Sequence, residues 1–114
     1  MANRRRRRER EPVETVDYTD DEGNVLTLRR SLSTKTIRKI GEAPLRDAAS
    51  IEDVWARRNE MLFERLAVRW EIAGLPLDDQ RMLLGRYRMA DASEQRWVRE
   101  TIDAHLERHI PELR

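Results

Sequence analysis

Two histidines one helical turn apart, His105 and His109, have the spacing that most directly suggests chemistry. Imidazoles four residues apart on a helix can chelate a divalent metal such as zinc. The zinc-protease pattern needs glutamate directly after the first histidine, but Leu106 occupies that position. Histidines near the carboxyl end of a helix also interact favourably with its dipole. We therefore predict no metal site here, and a metal-dependent hydrolase stays a third interpretation that zinc binding would test.

Two groups of adjacent carboxylates, Asp20-Asp21-Glu22 and Asp78-Asp79, are the other candidates for acid–base chemistry. Working pairs of this kind sit in apolar clefts that separate their two pKa values. These groups fall instead in a predicted turn and at a predicted helix start, where acidic residues serve structural purposes. The four glycines are scattered singly, so no phosphate-binding loop is present. The sequence predicts a protein that is not an enzyme and needs no cofactor.

An arginine-rich arm, residues 1–12, is the most unusual feature of the chain. It carries six arginines and two glutamates, whereas the rest of the chain has a net charge of −3. Such a segment cannot bury apolar area, so we expect it to be disordered by itself. It can neutralise nucleic-acid phosphates with a steep salt dependence, bind an acidic protein, or act as a solubility tail. The arginines concerned are Arg4, Arg5, Arg6, Arg7, Arg8 and Arg10.

The remaining sequence is predicted to form one mainly α domain, residues 13–114. Residues 13–30 read as a β-hairpin around a Gly-Asn turn, with Val16 and Tyr18 on the same face as Leu26 and Leu28. A short helix follows over residues 32–40, capped by Ser31 or Ser33, and then a linker. The helical core, residues 51–110, comprises three predicted helices, at about Ile51–Ala73, residues 79–89 and residues 92–109.

The predicted helix Ile51–Ala73 has an apolar stripe and ends at Gly74-Leu75-Pro76. Because tryptophan is enriched among interface anchors, we predict that a partner helix packs on this stripe, with Trp55, Phe63, Leu66 and Trp70 as its protein-binding residues. The aromatic side chains could alternatively stack on nucleic-acid bases, although their helical spacing favours core packing. The chain could also self-associate to complete its core.

Cysteine is absent, which excludes disulfides and thiol chemistry. No apolar run approaches the roughly 18 residues of a membrane span, and the charged start lacks the apolar region of a secretory signal. We therefore expect a cytoplasmic protein that makes no membrane contact.

Four segments in this order resemble tail assembly chaperones of long-tailed bacteriophages. They are Gly23-Asn-Val-Leu-Thr-Leu-Arg29, Leu66-Ala-Val-Arg-Trp70, Ala73-Gly-Leu-Pro-Leu77 and Trp97-Val-Arg-Glu-Thr-Ile102. The resemblance covers most of residues 16–110. It implies a small, mainly helical, non-enzymatic protein in the host cytoplasm that keeps the tape-measure protein soluble and recruits tail-tube subunits. The Arg4–Arg8 arm departs from that family's pattern and suggests a phage or mobile-element protein that faces nucleic acid.

Overall fold

The computed structural model describes residues 14–42 and 50–113. They form an α+β domain in which helices pack on a four-stranded antiparallel sheet of order β1-β2-β3-β4. The elements are β1 (Thr15–Thr19), β2 (Val25–Arg29), α1 (Thr34–Gly41), α2 (Ile51–Leu66), β3 (Ala67–Ile72), β4 (Leu75–Leu77), α3 (Gln80–Arg88), α4 (Ala92–His109) and a 3₁₀ turn (Pro111–Leu113). The arginine arm and most of the predicted linker lie outside the described residues.

The prediction of a mainly α domain was wrong, and the error lies in the segment predicted as one helix, Ile51–Ala73. The helix ends at Leu66, and Ala67–Ile72 continues directly as strand β3. The sequence Gly74-Leu75-Pro76, predicted to stop a helix, instead belongs to a hairpin that leads into β4. Ala73 and Gly74 have φ angles of 52° and 79°. Two consecutive positive φ angles characterise a type I′ turn, the tight connection that suits twisted antiparallel strands.

Residues 15–29 form the predicted hairpin, which is one half of the larger sheet. Val16 pairs with Leu28 and Tyr18 with Leu26, as the alternating pattern indicated. The Asp20 carboxylate closes the turn by accepting hydrogen bonds from the backbone N–H groups of Glu22 and Asn24. An isolated hairpin is marginal in water, but here β2 also pairs with β3 along its other edge.

The four helices begin at side-chain caps, since serine or aspartate oxygens accept a backbone N–H that has no partner within the helix. The cap residues are Ser33, Ser50, Asp79 and Asp91. The helices cover one face of the sheet. Their apolar side chains meet those of β2 and β3 in a single core. Its largest fully buried members are Trp70, Phe63, Leu26, Leu28, Leu62 and Leu66.

Candidate functional site

The apolar stripe of α2 is divided between the core and solvent. In the second half of the helix, Leu62 and Leu66 are at most 1% exposed. Ile51 and Trp55 lie on the same stripe at helical spacing, yet they are 71% and 59% exposed. The apolar stripe that faces the core in the second half of α2 therefore extends back into the first half, where it is exposed to solvent. We call residues 51–58 of α2 the overhang.

The overhang is capped at its start and hydrogen-bonded to the body of the domain at its end. At its start, the Ser50 hydroxyl accepts a hydrogen bond of 3.1 Å from the backbone N–H of Asp53. At its end, the guanidinium Nη2 of Arg58 donates to the carbonyl of Leu113 in the 3₁₀ turn. Leu113 itself is buried, so Arg58 marks the point where the helix meets the body. The apolar side chains between the cap and Arg58 are presented on a formed helix.

The predicted anchor Trp70 is a core residue of strand β3. It is only 2% exposed, and its ring lies edge-on to Phe63 with the centroids 5.8 Å apart. The Arg86 guanidinium covers the indole at 5.3 Å and pairs with Glu94 at 2.8 Å. Among the described residues, the Trp70 Nε1 atom has no hydrogen-bond partner. Of the four predicted protein-binding residues, Phe63, Leu66 and Trp70 are buried together, and Trp55 alone is exposed.

His105 is completely buried in α4 and joins that helix to the hairpin. Its Nε2 lies 2.9 Å from the Arg29 carbonyl, which can only accept, so Nε2 carries the proton. Nδ1 then accepts from the Tyr18 hydroxyl at 2.6 Å. Burial lowers the pKa of His105, and the positive charges of His109 and Arg108 act in the same direction. Both ring nitrogens are thus used in holding neutral imidazole in place.

Among the other candidate chemical groups, Asp20 and Asp79 have structural roles. The His105 and His109 rings lie 4.8 Å apart, but the described residues contain no group of three or more potential ligands that could hold a metal ion. Asp79 caps α3 by accepting from the backbone N–H of Met82. The predicted nucleic-acid residues, Arg4 to Arg8 and Arg10, lie outside the described residues.

A second surface feature was not predicted. Arg30, at the end of the hairpin, and Arg108, in the last turn of α4, line the same groove. They are far apart in sequence, and Arg108 lies among residues of mixed charge. The only local signal was the pair of consecutive arginines, Arg29-Arg30, at the end of a strand.

Comparison with known proteins leaves the family open. No protein-family model, curated protein or solved structure matches this chain. Over residues 14–42 and 50–113, none of the helices is both long and apolar enough to cross a membrane.

Proposed function

We propose that this chain is a non-enzymatic adaptor that binds a helix of a partner protein on the overhang of α2. The observation that carries this proposal is the exposure of Ile51 and Trp55 on the stripe that Leu62 and Leu66 bury in the core. Apolar side-chain surface left exposed to water costs about 25 cal/mol of free energy for each Å², relative to the same surface buried. A partner that extends the core along α2 would remove this cost.

The dimensions of the overhang suit a helical partner. Eight residues of helix rise about 12 Å, or just over two turns. A partner helix would offer apolar side chains at i, i+3 and i+4 to a surface of this length. Trp55 would supply most of the affinity because a tryptophan at the centre of a small interface is the typical energetic hot spot. Val54 is half-buried beside it and widens the apolar surface.

Charged residues border the overhang and would orient the partner. Glu52 and Asp53 lie in the first turn of α2, where they also favour the helix dipole. Arg57 follows one turn later and is exposed. Exposed charges of this kind contribute mainly to the association rate and to specificity, and little to affinity.

The positions of the titratable groups also support binding over catalysis. The ring nitrogens of His105 and the carboxylate of Asp20 are all hydrogen-bonded within the fold. A catalytic base needs a free lone pair directed at a substrate, and these groups use theirs to hold the structure together.

The narrower proposal is that the partner belongs to a growing phage tail and that the chain acts in the host cytoplasm. It rests on the resemblance to tail assembly chaperones, which implies a tape-measure protein as the partner. Such a partner would have to offer an apolar helical face to the overhang. The four-stranded sheet is a departure, since the resemblance implied a mainly helical fold.

Site-specific photo-crosslinking tests the adaptor proposal. A photo-reactive phenylalanine analogue at position 51, which is 71% exposed on the same stripe as Trp55, should crosslink a discrete protein in lysate of the native host treated with nuclease. The same analogue at Met89, which is 85% exposed, is the matched control and should not. Adding Trp55→Ala to the chain that carries the analogue at position 51 should abolish crosslinking of that protein while the circular dichroism spectrum is unchanged. Equal crosslinking with and without Trp55→Ala would refute the overhang as the binding site.

A further inference from the structure

A groove lies between α1 and the second half of α2. Its volume is about 250 Å³, and it is lined by three cations, a hydroxyl group and two apolar side chains, which belong to Lys35, Thr36, Lys39, Ile40, Met61 and Arg65. Ile40 is buried and Met61 half-buried, so they provide an apolar floor below the exposed cationic groups. We call this space the lysine groove. It uses no residue of the overhang.

The positive charges of the lysine groove have no acidic neighbours. Lys35 and Lys39 lie one turn apart on α1, so their like charges repel each other. The sequence of α1 contains no acidic residue. Among the residues that the structure describes, neither lysine nor Arg65 takes part in an ion pair. A carboxylate that entered the lysine groove would therefore relieve a repulsion that the described part of the chain leaves uncompensated.

Two carboxylates without partners lie on the turn between β1 and β2. The side chains of Asp21 and Glu22 are exposed, and within the described residues neither carboxylate makes a hydrogen bond or an ion pair. We call this pair the acidic tip. The turn is held in shape by the Asp20 carboxylate, which accepts from the N–H groups of Glu22 and Asn24. Because the turn is already ordered, docking of the acidic tip costs little conformational entropy.

The acidic tip and the lysine groove lie at opposite ends of the sheet. The tip directly precedes the start of β2, where Val25 pairs with Glu71. Arg65 of the groove comes two residues before Ala67, which pairs with Leu28 near the other end of β2. The five residues of a strand rise about 16 Å. The two surfaces therefore do not meet within one chain, whereas the tip of one copy can reach the groove of another.

The size of the lysine groove favours protein side chains over a small molecule. Pockets for small molecules have volumes of about 300–1,000 Å³, and the lysine groove is smaller than this range. It admits one or two carboxylate side chains, whose methylene groups would lie on the apolar floor and whose oxygens would meet the surrounding cations. The acidic tip offers such a pair on adjacent residues.

We propose that the acidic tip of one copy docks into the lysine groove of a second copy. The contact joins two different surfaces, so each end of a pair keeps a free tip or a free groove, and assembly continues head to tail unless a ring closes. The interface is small and exposed ion pairs are individually weak, so association requires high protein concentration and low salt. Because the overhang takes no part, this assembly is independent of the adaptor proposal.

Sedimentation velocity of the purified full-length chain tests the assembly. The average mass of the wild type should rise between about 10 and 500 μM protein at about 0.05 M salt, and the rise should be lost at about 0.5 M salt. Lys39→Gln should weaken association about two- to fivefold, as expected for one exposed ion pair. Arg38→Gln is the matched control, because it removes an exposed cation of α1 that does not line the groove; it should weaken association by less than about twofold.

Charge reversal makes the test specific for the two surfaces. The tip variant carries Asp21→Lys with Glu22→Lys, and the groove variant carries Lys35→Glu with Lys39→Glu. Each variant should be monomeric by itself, because its tip and its groove then have the same sign of charge. A mixture of the two variants should associate again, since the tip of each complements the groove of the other.

Three results would overturn the proposal: a monomeric wild type over this concentration range, self-association of the groove variant equal to that of the wild type, or a monomeric mixture of the two variants when both have the wild-type circular dichroism spectrum. A monomeric wild type that binds an oligoglutamate peptide, with loss of binding in the groove variant, would also overturn it and assign the groove to an acidic segment of another protein. Trp55→Ala should leave self-association unchanged, so failure here is distinguishable from failure of the adaptor proposal.

Discussion

Tyr18 and His105 are 87 positions apart in the chain, yet the Tyr18 hydroxyl donates a hydrogen bond of 2.6 Å to Nδ1 of the buried imidazole. The two rings are nearly perpendicular, with centroids 5.6 Å apart. On its other side, His105 donates from Nε2 to the Arg29 carbonyl. One side chain of α4 therefore holds both strands of the hairpin, β1 through Tyr18 and β2 through Arg29.

The buried position of His105 predicts that the protein loses stability in mild acid. Burial lowers the pKa of His105 below its ordinary value of 6.5, so the unfolded chain binds a proton more readily than the folded chain. The contribution of neutral His105 to the free energy of unfolding is fully present above about pH 6.5. It is lost as the pH falls from there towards the pKa that His105 has in the folded protein. Urea denaturation at pH values from 8 to 5 should show this decline.

Two variants distinguish the effect of His105 on the pH dependence from that of His109. His105→Gln should have a nearly constant free energy of unfolding over the upper part of this range, because it removes the buried titrating group. His109→Gln should keep most of the decline, because burial is the largest cause of the lowered pKa of His105 and the charge of His109 adds less. If the free energy of unfolding declined equally with falling pH in His105→Gln and in the wild type, the decline would be caused by other groups.

Removal of the Tyr18 hydroxyl should destabilise the protein at neutral pH. Tyr18→Phe keeps the ring but leaves Nδ1 of His105 buried without a donor, which costs about 1–3 kcal/mol. Thr27→Val is the matched control, since it removes an exposed hydroxyl that donates to Asp17 on the same hairpin; we expect a change below about 0.5 kcal/mol. Urea denaturation of both variants at pH 7.5 measures the difference, and equal losses would contradict the role of the buried bond.

The two tryptophans of the predicted stripe should differ in how much stability the protein loses when each is truncated to alanine. Trp70→Ala removes a core side chain packed on Phe63 and should cost about 3–5 kcal/mol of folding free energy. Trp55→Ala removes an exposed side chain and should change the free energy by less than about 0.5 kcal/mol. Thermal denaturation followed by circular dichroism compares them. A large loss in Trp55→Ala would place that side chain in the core and remove the apolar surface of the overhang.

The first hairpin was predictable because its signals are local. Alternating apolar residues flank a turn whose Asp20 side chain bonds to nearby N–H groups, so neither strand needs a distant segment to explain its pattern. The helix N-termini were predictable within one or two residues for the same reason, since serine and aspartate caps act over three positions.

Strand β3 was not predictable from periodicity because a β-bulge gives it a helical spacing. Ala67 pairs with Leu28, whereas Arg69 pairs with Thr27, so the register shifts at Val68. The shift brings Ala67 and Trp70, three residues apart, to the same buried face. A spacing of three to four residues is also what a helix produces, and the preceding stripe of α2 continues into it without a break.

The candidate sites were only partly predictable, because apolarity and charge do not show what covers a side chain. The stripe that contains Trp55 and Leu66 was identified, but only the sheet decides that Leu66 is buried and Trp55 exposed. The groove lined by Arg30 and Arg108 depends on their approach across the fold, which the consecutive arginines Arg29-Arg30 do not indicate by themselves.

The turn between β3 and β4 gives a direct test of the revised fold. Ala73 has a φ angle of 52°, which costs a residue with a Cβ about 1–2 kcal/mol, and its N–H donates to Asn24 Oδ1 at 3.0 Å. Asparagine tolerates this region, and Asn-Gly is a preferred pair for a type I′ turn. Ala73→Asn should therefore raise the free energy of unfolding by about 0.5–1 kcal/mol, whereas Ala73→Val should lower it.

If residues 51–73 were one helix, both substitutions would lower the free energy of unfolding, because asparagine and valine have poorer helix propensity than alanine. Urea denaturation of the two variants thus distinguishes the sheet from the helix by the sign of the change in Ala73→Asn.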